Sequence, residues 1–226
     1  VLCQNMARDI GIPGTGPSDV TSTSLSEEEN AVVRYVKQAD LDIQSRWFNW
    51  SFLWKEATIT PVAGTSTLTS PSDVGNWKLD SIVFSKATDS YQELEYMDWD
   101  DYNIAYKMGV VESGTPEVFS IKPDSVIDVY PTPDATTAIS VAYWATPTEL
   151  AADSDVSAIP PRLHKIITSR AKIYYAESAD APEILSGALA EFEDLLDKLE
   201  ADQLPGQKNR RFSRAQNIDN FTVVPQ

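Results

Sequence analysis

The residues of this chain best suited to chemistry are five carboxylates within nine positions near its middle: Glu93, Glu95, Asp98, Asp100 and Asp101. Carboxylate oxygens could bind a hard cation, and a pair of carboxyl groups could hydrolyse a glycosidic bond. However, the spacing of a calcium-binding EF-hand loop, with its Gly and terminal Glu, is absent. Asp98 also stands where it would cap a short helix over 97–109. We therefore favour a helix cap over a metal site or a catalytic pair.

The remaining candidates for chemistry stand alone. His164 is the only histidine, and we identify neither a carboxylate to orient it nor a nucleophile for it to activate. Cys3 is the only cysteine, so it forms no intrachain disulfide, and a reducing compartment is the simplest expectation. The glycines of 11–17 lack the preceding strand and the Lys-Ser/Thr pair of a phosphate-binding loop. We predict a protein without enzymatic activity, cofactor or metal.

Six tryptophans are many for 226 residues: Trp47, Trp50, Trp54, Trp77, Trp99 and Trp144. The first three step by three and four positions, the spacing of one buried stripe. We predict that these three form the core of a hinge between a helical part and a β part of the chain. Alternatively, exposed Trp77, Trp99 or Trp144 would stack on sugar rings.

Three-to-four-residue periodicity predicts helices toward both ends of the chain. Ser26 and Glu29 form a capping box sequence, and one stripe follows it, formed by Val32, Val36, Ala39, Ile43 and Trp47. Pro160 and Pro161 stand at a helix start, where a missing amide proton costs nothing. Helices are predicted over 2–10, 27–48, 97–109, 160–179 and 182–204. The last two should pack antiparallel, with the apolar face of the final helix formed by Ile184, Leu185, Leu189, Phe192, Leu195, Leu196 and Leu199.

Between these helices the apolar period changes to two, which is typical of strands. Strands are predicted over 56–60, 65–68, 77–84, 92–96, 117–122, 126–130 and 139–144. The sequence KPDS at 122–125 predicts a tight hairpin. Such closely spaced short strands form a small antiparallel sandwich or barrel. The predicted fold is α+β, a helical bundle core of 1–54 and 148–204 interrupted by an inserted β domain over 55–147.

The end of the chain reverses the charge of the rest. The protein carries −16, but residues 207–226 hold four basic residues against one acid, so residues 1–204 carry −19. Because this segment has little to fold against in its own chain, we predict an extended docking arm over 205–226 that becomes ordered on another molecule. Its docking residues are predicted to be Lys208, Arg210, Arg211, Phe212, Arg214, Ile218, Phe221, Val223 and Val224.

The acidity of the remaining chain excludes some classes of partner. Nucleic-acid binding draws on Lys and Arg that neutralise phosphates, so this acidity argues against it. The acidity serves either solubility or a surface along which DNA slides without sticking. No apolar run reaches the ~18 residues of a membrane span, so no membrane partner is expected.

Three stretches carry a resemblance to a known family: SYQELEYMDWDDYNIAYKMG at 90–109, PEVFSIKPDSVIDVYPTPD at 116–134, and SVAYWATPTELAADSDVSAIPPRLHKIITSRAKIYYAESADAPEI at 140–184. In this order of hairpin, Pro-Pro helix start and Ala-Asp-Ala-Pro helix link, the chain resembles the adaptor proteins of tailed bacteriophages, of the tail tubular protein A type, and the wider group of head–tail connectors. The resemblance covers most of 26–205, and no motif within it is catalytic.

The resemblance implies a structural protein of the virion neck that is assembled in the host cytoplasm. Such adaptors form a ring of twelve subunits beneath the portal protein and continue the channel through which double-stranded DNA passes without specific binding. Their helical part faces the channel and neighbouring subunits, and their β part points outward or toward the tail tube, where a tail nozzle or another tail protein binds. Their C-terminal arm docks on the portal, a role that residues 207–226 match in position and composition.

Other functions stay open from the residues alone. One is a carbohydrate-binding or fibre-type β module with the helices as its base. Another is a cell-wall hydrolase that uses the carboxylates of 98–101 with Glu93 or Glu95. A third is a different neck component, such as a stopper.

Overall fold

Two units pack separately in the computed structural model of the protein, which describes residues 1–12, 16–17, 19–22, 24–86 and 90–204. Among the described residues, the helical unit contains Val1–Phe52 and residues 147–204. The β unit is Leu53–Thr146 and contains the described strands. This mixture of helices and strands confirms the predicted α+β class. In the described part of the chain, no helix combines the length and the apolar character needed to cross a membrane.

The described helices are α1 (Leu2–Asp9), α2 (Glu27–Ser45), α3 (Trp99–Tyr102), α4 (Lys165–Ser178) and α5 (Pro182–Gln203). Within the helical unit, α1 and α2 pack against each other and both contact α4, which packs against α5. The short helix α3 belongs to the β unit and continues into a π-helical turn, Asn103–Lys107.

The predicted capping box starts α2. The Ser26 hydroxyl accepts the Glu29 N–H at 3.2 Å, and the Ser26 N–H donates to the Glu29 carboxylate at 3.0 Å. The helix ends at Ser45 rather than near 48, because the chain turns back and the Trp50 indole donates to the Ile43 carbonyl at 3.2 Å. Trp50 is fully buried, but Trp47 is 43% exposed. The predicted stripe of three tryptophans is therefore wrong.

The last two helices form the predicted antiparallel hairpin. A 3-10 turn, Pro161–Leu163, precedes α4, so the two prolines start this turn and not the α-helix itself. The buried face of α5 is narrower than predicted, since Leu189 lies exposed while a stripe at three- and four-residue steps is buried. That stripe comprises Ala188, Phe192, Leu196 and Leu199.

Ten short strands build the described part of the β unit. They are β1 (Trp54–Ile59), β2 (Val74–Trp77), β3 (Val83–Lys86), β4 (Ser90–Glu93), β5 (Glu95–Tyr96), β6 (Ser113–Gly114), β7 (Val118–Ile121), β8 (Ile127–Tyr130), β9 (Thr132–Pro133) and β10 (Ile139–Ala145). A five-stranded sheet has the order β1-β10-β3-β4, with β2 also paired to β10. A second sheet has the order β5-β7-β8, and β6 pairs with β9. The pairs β5–β7 and β6–β9 are parallel, so the arrangement is mixed rather than wholly antiparallel.

Several predicted strands are interrupted. Residues 65–68 form only an isolated bridge, between Thr67 and Asp128. The predicted strand over 77–84 is broken by a 3-10 turn, Leu79–Ser81. The predicted strand over 92–96 is divided at buried Leu94 between two sheets. The KPDS hairpin is confirmed, with the Ser125 N–H donating to the Lys122 carbonyl at 2.9 Å.

The core of the β unit lies on the inward face of β10 and the strands around it. Residues of β10 alternate, so that Ile139, Val141 and Tyr143 point into the core while Ser140 lies exposed and Trp144 is half-buried. Register with β1 places Ile59 opposite Ile139. The buried cluster comprises Ile59, Leu68, Trp77, Ile82, Leu94, Phe119, Ile127, Val129, Ile139, Val141, Tyr143 and Ala145.

Candidate interaction surfaces

The predicted docking arm lies outside the described residues. This includes each of its predicted docking residues, Lys208, Arg210, Arg211, Phe212, Arg214, Ile218, Phe221, Val223 and Val224. The description of the chain reaches Leu204, directly after α5. The point at which the predicted arm leaves the helical unit is therefore known.

The end of α5, where the arm begins, is fastened to the segment that follows α2. The Trp47 indole donates to the Glu200 carboxylate at 2.9 Å, and the Ser51 hydroxyl donates to the Gln203 carbonyl at 2.6 Å. Arg46 adds a longer ion pair to Glu200, at 3.6 Å. These contacts hold the last turn of α5 in place.

A carboxylate on α5 ties that helix to α4. Glu191 pairs with Lys165 and with Lys172, and it accepts a hydrogen bond from the Ser169 hydroxyl at 2.7 Å. Burial alone would raise the pKa of Glu191, but these partners outweigh it and lower the pKa to about 2. Lys172 also pairs with Asp9 at 2.9 Å, which fastens α1 to the same cluster.

A second carboxylate of the helical unit, Asp40 on α2, is fully buried. It accepts hydrogen bonds from the Ser157 hydroxyl at 2.5 Å and from the Gln44 amide at 2.7 Å. Burial raises the pKa of Asp40 above its ordinary value, and the two hydrogen bonds offset only part of that rise. The group fixes the loop around residue 157 to α2.

Within the acidic group of 93–101, Asp98 has a structural role as a helix cap. The Asp98 carboxylate accepts the Asp100 N–H at 3.1 Å and so caps α3 as predicted. Glu93, Glu95, Asp98, Asp100 and Asp101 are all exposed. Among the described residues, no three His, Cys, Asp or Glu side chains are arranged to hold a metal ion. None of these five carboxyl groups has the buried, apolar setting that is typical of the general acid of a glycoside hydrolase.

His164 and Cys3 make structural contacts. The His164 ring nitrogen Nε2 lies 2.7 Å from the Ile159 carbonyl oxygen, at the turn before α4. Cys3 is buried on α1, and burial raises the pKa of its thiol, which disfavours the reactive thiolate. Neither residue is set up as a nucleophile or a general base.

The β unit contains a buried charge cluster that was not predicted from the sequence. Asp128 on β8 is fully buried and lies 2.8 Å from the Lys107 ammonium and 3.3 Å from that of Lys122. Burial acts to raise the pKa of Asp128, but the lysines outweigh burial and leave the pKa below its ordinary value. A carboxylate inside the apolar run IDVY was the available signal, because such a residue needs a cationic partner.

A series of aromatic rings in mutual contact, two pairs stacked and one edge-to-face, lies beside this cluster. Tyr106 stacks on Tyr130 with ring centroids 4.1 Å apart, and Tyr102 lies 5.4 Å from Tyr106. Trp99 stacks on Tyr102 at 5.8 Å. The Tyr102 hydroxyl reaches the Asp128 carboxylate at 3.4 Å, and burial raises the pKa of this tyrosine. The rings thus bind α3 and the turn after it to β8.

The tryptophans of the β unit do not form a free sugar platform. Trp77 is buried and donates to the Ser125 carbonyl at 2.8 Å. Trp54 packs edge-to-face on Trp144 at 5.3 Å, beside a cleft of about 480 Å³. The Lys78 ammonium lies 5.6 Å from the Trp54 ring centroid, over the face that a sugar would need.

Comparison with known proteins bears on the whole chain. The family model described as SU10 adaptor protein matches residues 4–218. The match spans both units and extends into the first part of the predicted arm. No curated protein matched the chain in a sequence search.

Proposed function

This chain belongs to the SU10 adaptor protein family, and from that premise we propose that it is the adaptor that joins the portal to the tail in a tailed bacteriophage. The observation that carries the proposal is the length of the family match, which covers residues 4–218. The match agrees with the resemblance to head–tail adaptors that the sequence carries between 90 and 184. In this proposal the protein is a structural component of the virion neck.

The proposed contact with the portal is the C-terminal arm. Residues 207–226 are net +3 on a chain of −16, and they also contain five large apolar residues. The four basic residues would pair with an acidic portal surface, the apolar side chains would fill slots, and TVV at 222–224 would add to a sheet edge. The family match supports this role because it continues to residue 218, past all four basic residues.

We propose a homo-oligomeric ring of twelve subunits, with the helical unit supplying contacts between neighbours. Exposed apolar side chains support this, since Leu189 on α5 and Trp47 after α2 remain accessible in the single chain. In a ring, once the first arm has docked, the other arms are held close to their own portal subunits. Modest single-arm affinity then multiplies through effective concentration.

The ring would continue the channel for double-stranded DNA. A chain with a net charge of −16 presents negative potential, which repels phosphates and disfavours specific binding of DNA along the wall. The repulsion should weaken as salt rises, because the Debye length falls from about 10 Å at 0.1 M to about 3 Å at 1 M.

Deleting residues 207–226 tests the docking arm. The truncated protein should keep the circular dichroism and the thermal transition of the full chain, because the described elements end at Leu204. It should no longer attach to purified heads that carry the portal, as seen by co-sedimentation and negative-stain imaging. Attachment that survives the deletion would overturn the proposed role of the arm.

Two variants that remove positive charge from different places refine the same test. Changing Arg210, Arg211 and Arg214 to Gln should weaken attachment and reduce its salt dependence, since charge pairs across an interface are screened by salt. The control is Lys198→Gln, which removes an exposed positive charge from α5. This control should attach like the natural chain.

A further inference from the structure

The β unit exposes a run of large apolar side chains just after α3. In residues 104–111, here named the apolar segment, Ile104, Met108, Val110 and Val111 are between 67 and 86% exposed. Single exposed apolar residues are common on protein surfaces, but a contiguous group usually marks an interaction site. The segment therefore needs an explanation that the arm does not supply.

The apolar segment is held at its base by buried contacts. Lys107, in its middle, pairs with buried Asp128 at 2.8 Å and donates to the Ser66 hydroxyl at 2.9 Å. Tyr106 stacks on Tyr130 at 4.1 Å between ring centroids. A segment anchored in this way presents its apolar side chains in a fixed arrangement, so less conformational freedom is lost when a partner binds.

Its far end is fixed to the sheet. The Thr132 N–H donates to the Glu112 carbonyl at 2.9 Å, where β6 pairs with β9. A neighbouring turn is tied to the same strand, because the Gly64 N–H donates to the Pro133 carbonyl at 2.8 Å. That turn carries Val62, which is also exposed. The exposed apolar area therefore extends over two connected turns of the β unit.

Carboxylates border the apolar segment on both sides in the chain. Asp98, Asp100 and Asp101 precede it and Glu112 follows it, and all four are exposed. The only cation inside the segment, Lys107, is directed at Asp128. We infer that the apolar segment docks in an apolar slot edged by Lys or Arg on another protein of the assembled neck, one that is neither the portal nor a second copy of this chain.

Charge argues against a second copy as the partner. Two apolar segments facing each other would bring their bordering carboxylates together, and like charges across an interface cost affinity. In the proposed ring the helical unit supplies the contacts between copies, which leaves the apolar segment of the β unit for a different partner. The cationic stretch of the arm is assigned to the portal in the proposed function, on which this inference rests.

A serine variant tests the apolar contact in two stages. Met108, Val110 and Val111 are changed together to Ser, and the protein is added to portal-bearing heads and then to purified tails. We expect attachment to heads to match the natural chain, and the yield of joined particles to fall at least tenfold. A single-site control is Val156→Ser, which removes a valine that is 75% exposed in the helical unit. It should join tails normally.

The two stages separate the failure of this inference from the failure of the proposed function. If heads bind the arm-deleted chain, the proposed contact between the arm and the portal is overturned, independently of the result with tails. Normal joining by the serine variant overturns the docking inference alone. A loss at both stages with an unchanged thermal transition also overturns it, because the segment would then act at the portal.

Photo-crosslinking identifies the occupant without relying on the variant. A benzophenone side chain replaces Val110, and joined particles are irradiated and digested for mass spectrometry. The inference predicts a crosslinked peptide from a different neck or tail protein, with Lys or Arg flanking apolar residues. Adducts with the portal, with the arm or body of another copy, or with no protein at all would overturn it. Replacement at Val156 serves as the control position.

A final variant pair measures the bordering charges. Changing Asp100 and Asp101 to Asn leaves the Asp98 cap in place and should lower tail joining severalfold at low salt. The difference from the natural chain should shrink at high salt, because screening removes the contribution of exposed charges. Joining that is unchanged at low salt would overturn the predicted basic edge of the slot.

Discussion

Each unit of the molecule buries one carboxylate completely among the residues described, Asp40 in the helical unit and Asp128 in the β unit. Both are withdrawn from solvent, yet their pKa values shift in opposite directions. Asp40 meets a hydroxyl and an amide, and its pKa rises. Asp128 meets two ammonium groups, and its pKa falls. The partner of a buried carboxylate, and not burial alone, therefore decides the sign of its pKa shift.

The two sites also differ in what they do for the fold. Asp128 is a charged hub on which Lys107 and Lys122 converge from two separate loops. Asp40 joins one loop residue, Ser157, to a helix through neutral groups. Removing the charge of Asp128 should therefore weaken the β unit. Removing the charge of Asp40 should leave the helical unit equally stable or slightly more stable.

The largest effect is expected from Asp128→Asn. The change removes an ion pair from a fully buried position, and we expect the free energy of unfolding at pH 7 to fall by about 2–3 kcal/mol. This lies at or below the usual range for broken buried pairs, because both lysines can reach solvent. Urea unfolding measures the loss, and hydrogen exchange should locate it at β7 and β8.

The stability loss caused by Asp128→Asn should depend on pH. The folded-state pKa of Asp128 is depressed, so its contribution is complete above the ordinary carboxyl pKa of about 3.9 and is lost as pH falls through the folded value. The difference between the two proteins should shrink below about pH 4. A difference that is the same at pH 3 and at pH 7 would contradict the ion-pair account.

A smaller loss is expected from Glu191→Gln in the helical unit. Its partners lower the pKa to about 2, but the side chain is 28% exposed and solvent screens the pairs, so we expect about 1 kcal/mol at pH 7. The contribution is complete above the ordinary pKa of about 4.3 and declines as pH falls toward about 2. Urea titrations at pH 7 and pH 3 compare the two proteins.

An exposed pair provides the control for Glu191. Asp194 and Lys198 lie one helical turn apart on α5, and both are largely exposed. Asp194→Asn should change the free energy of unfolding by no more than about 0.5 kcal/mol. An equal loss at both positions would show that the cluster around Glu191 has no special role.

An effect of the opposite sign is expected from Asp40→Asn. The raised pKa of Asp40 means that its charged form is disfavoured in the folded state, so the neutral amide should stabilise the protein by up to about 1 kcal/mol at pH 7. The Gln44 carbonyl oxygen is buried without a hydrogen-bond partner, and a flip of that amide would let it accept from the introduced side-chain amide.

The stability change caused by Asp40→Asn should vanish at low pH, as for Asp128→Asn, but its sign at neutral pH is the opposite. It is complete above the raised folded pKa and disappears below the ordinary value of about 3.9, where both proteins are neutral at this position. Thermal unfolding at pH 7 and at pH 3 provides the check. A clear loss at pH 7 would contradict a net cost of the Asp40 charge in the folded state and would remove the contrast with Asp128.

Local signals made the helices the more predictable part. The capping box of Ser26 and Glu29, and the stripe of Val32, Val36, Ala39 and Ile43, depend on neighbours in the chain. The end of α2 was missed because it is set by the Trp50 indole, which bonds back to the Ile43 carbonyl from seven residues away. Such a contact leaves no periodic trace in the sequence.

The β unit was harder to predict, since its strands change partners within one alternating run. Leu94 remains buried while the chain passes from one sheet to another, so the alternation alone shows no break. Asp98 was predicted as a cap because that role is local. The role of Asp128 was missed because Lys107 and Asp128 are 21 positions apart and meet only in the folded chain.

The fastening of α5 has a mechanical consequence. Any tension on the chain beyond Leu204 enters the last turn of this helix, which Trp47 and Ser51 secure sideways through Glu200 and Gln203. A force that unwinds α5 from its end must break both of these bonds before the last turn comes free. The segment after α2 shares this force, so the helical unit resists unfolding from the end of α5 when the docking arm is pulled.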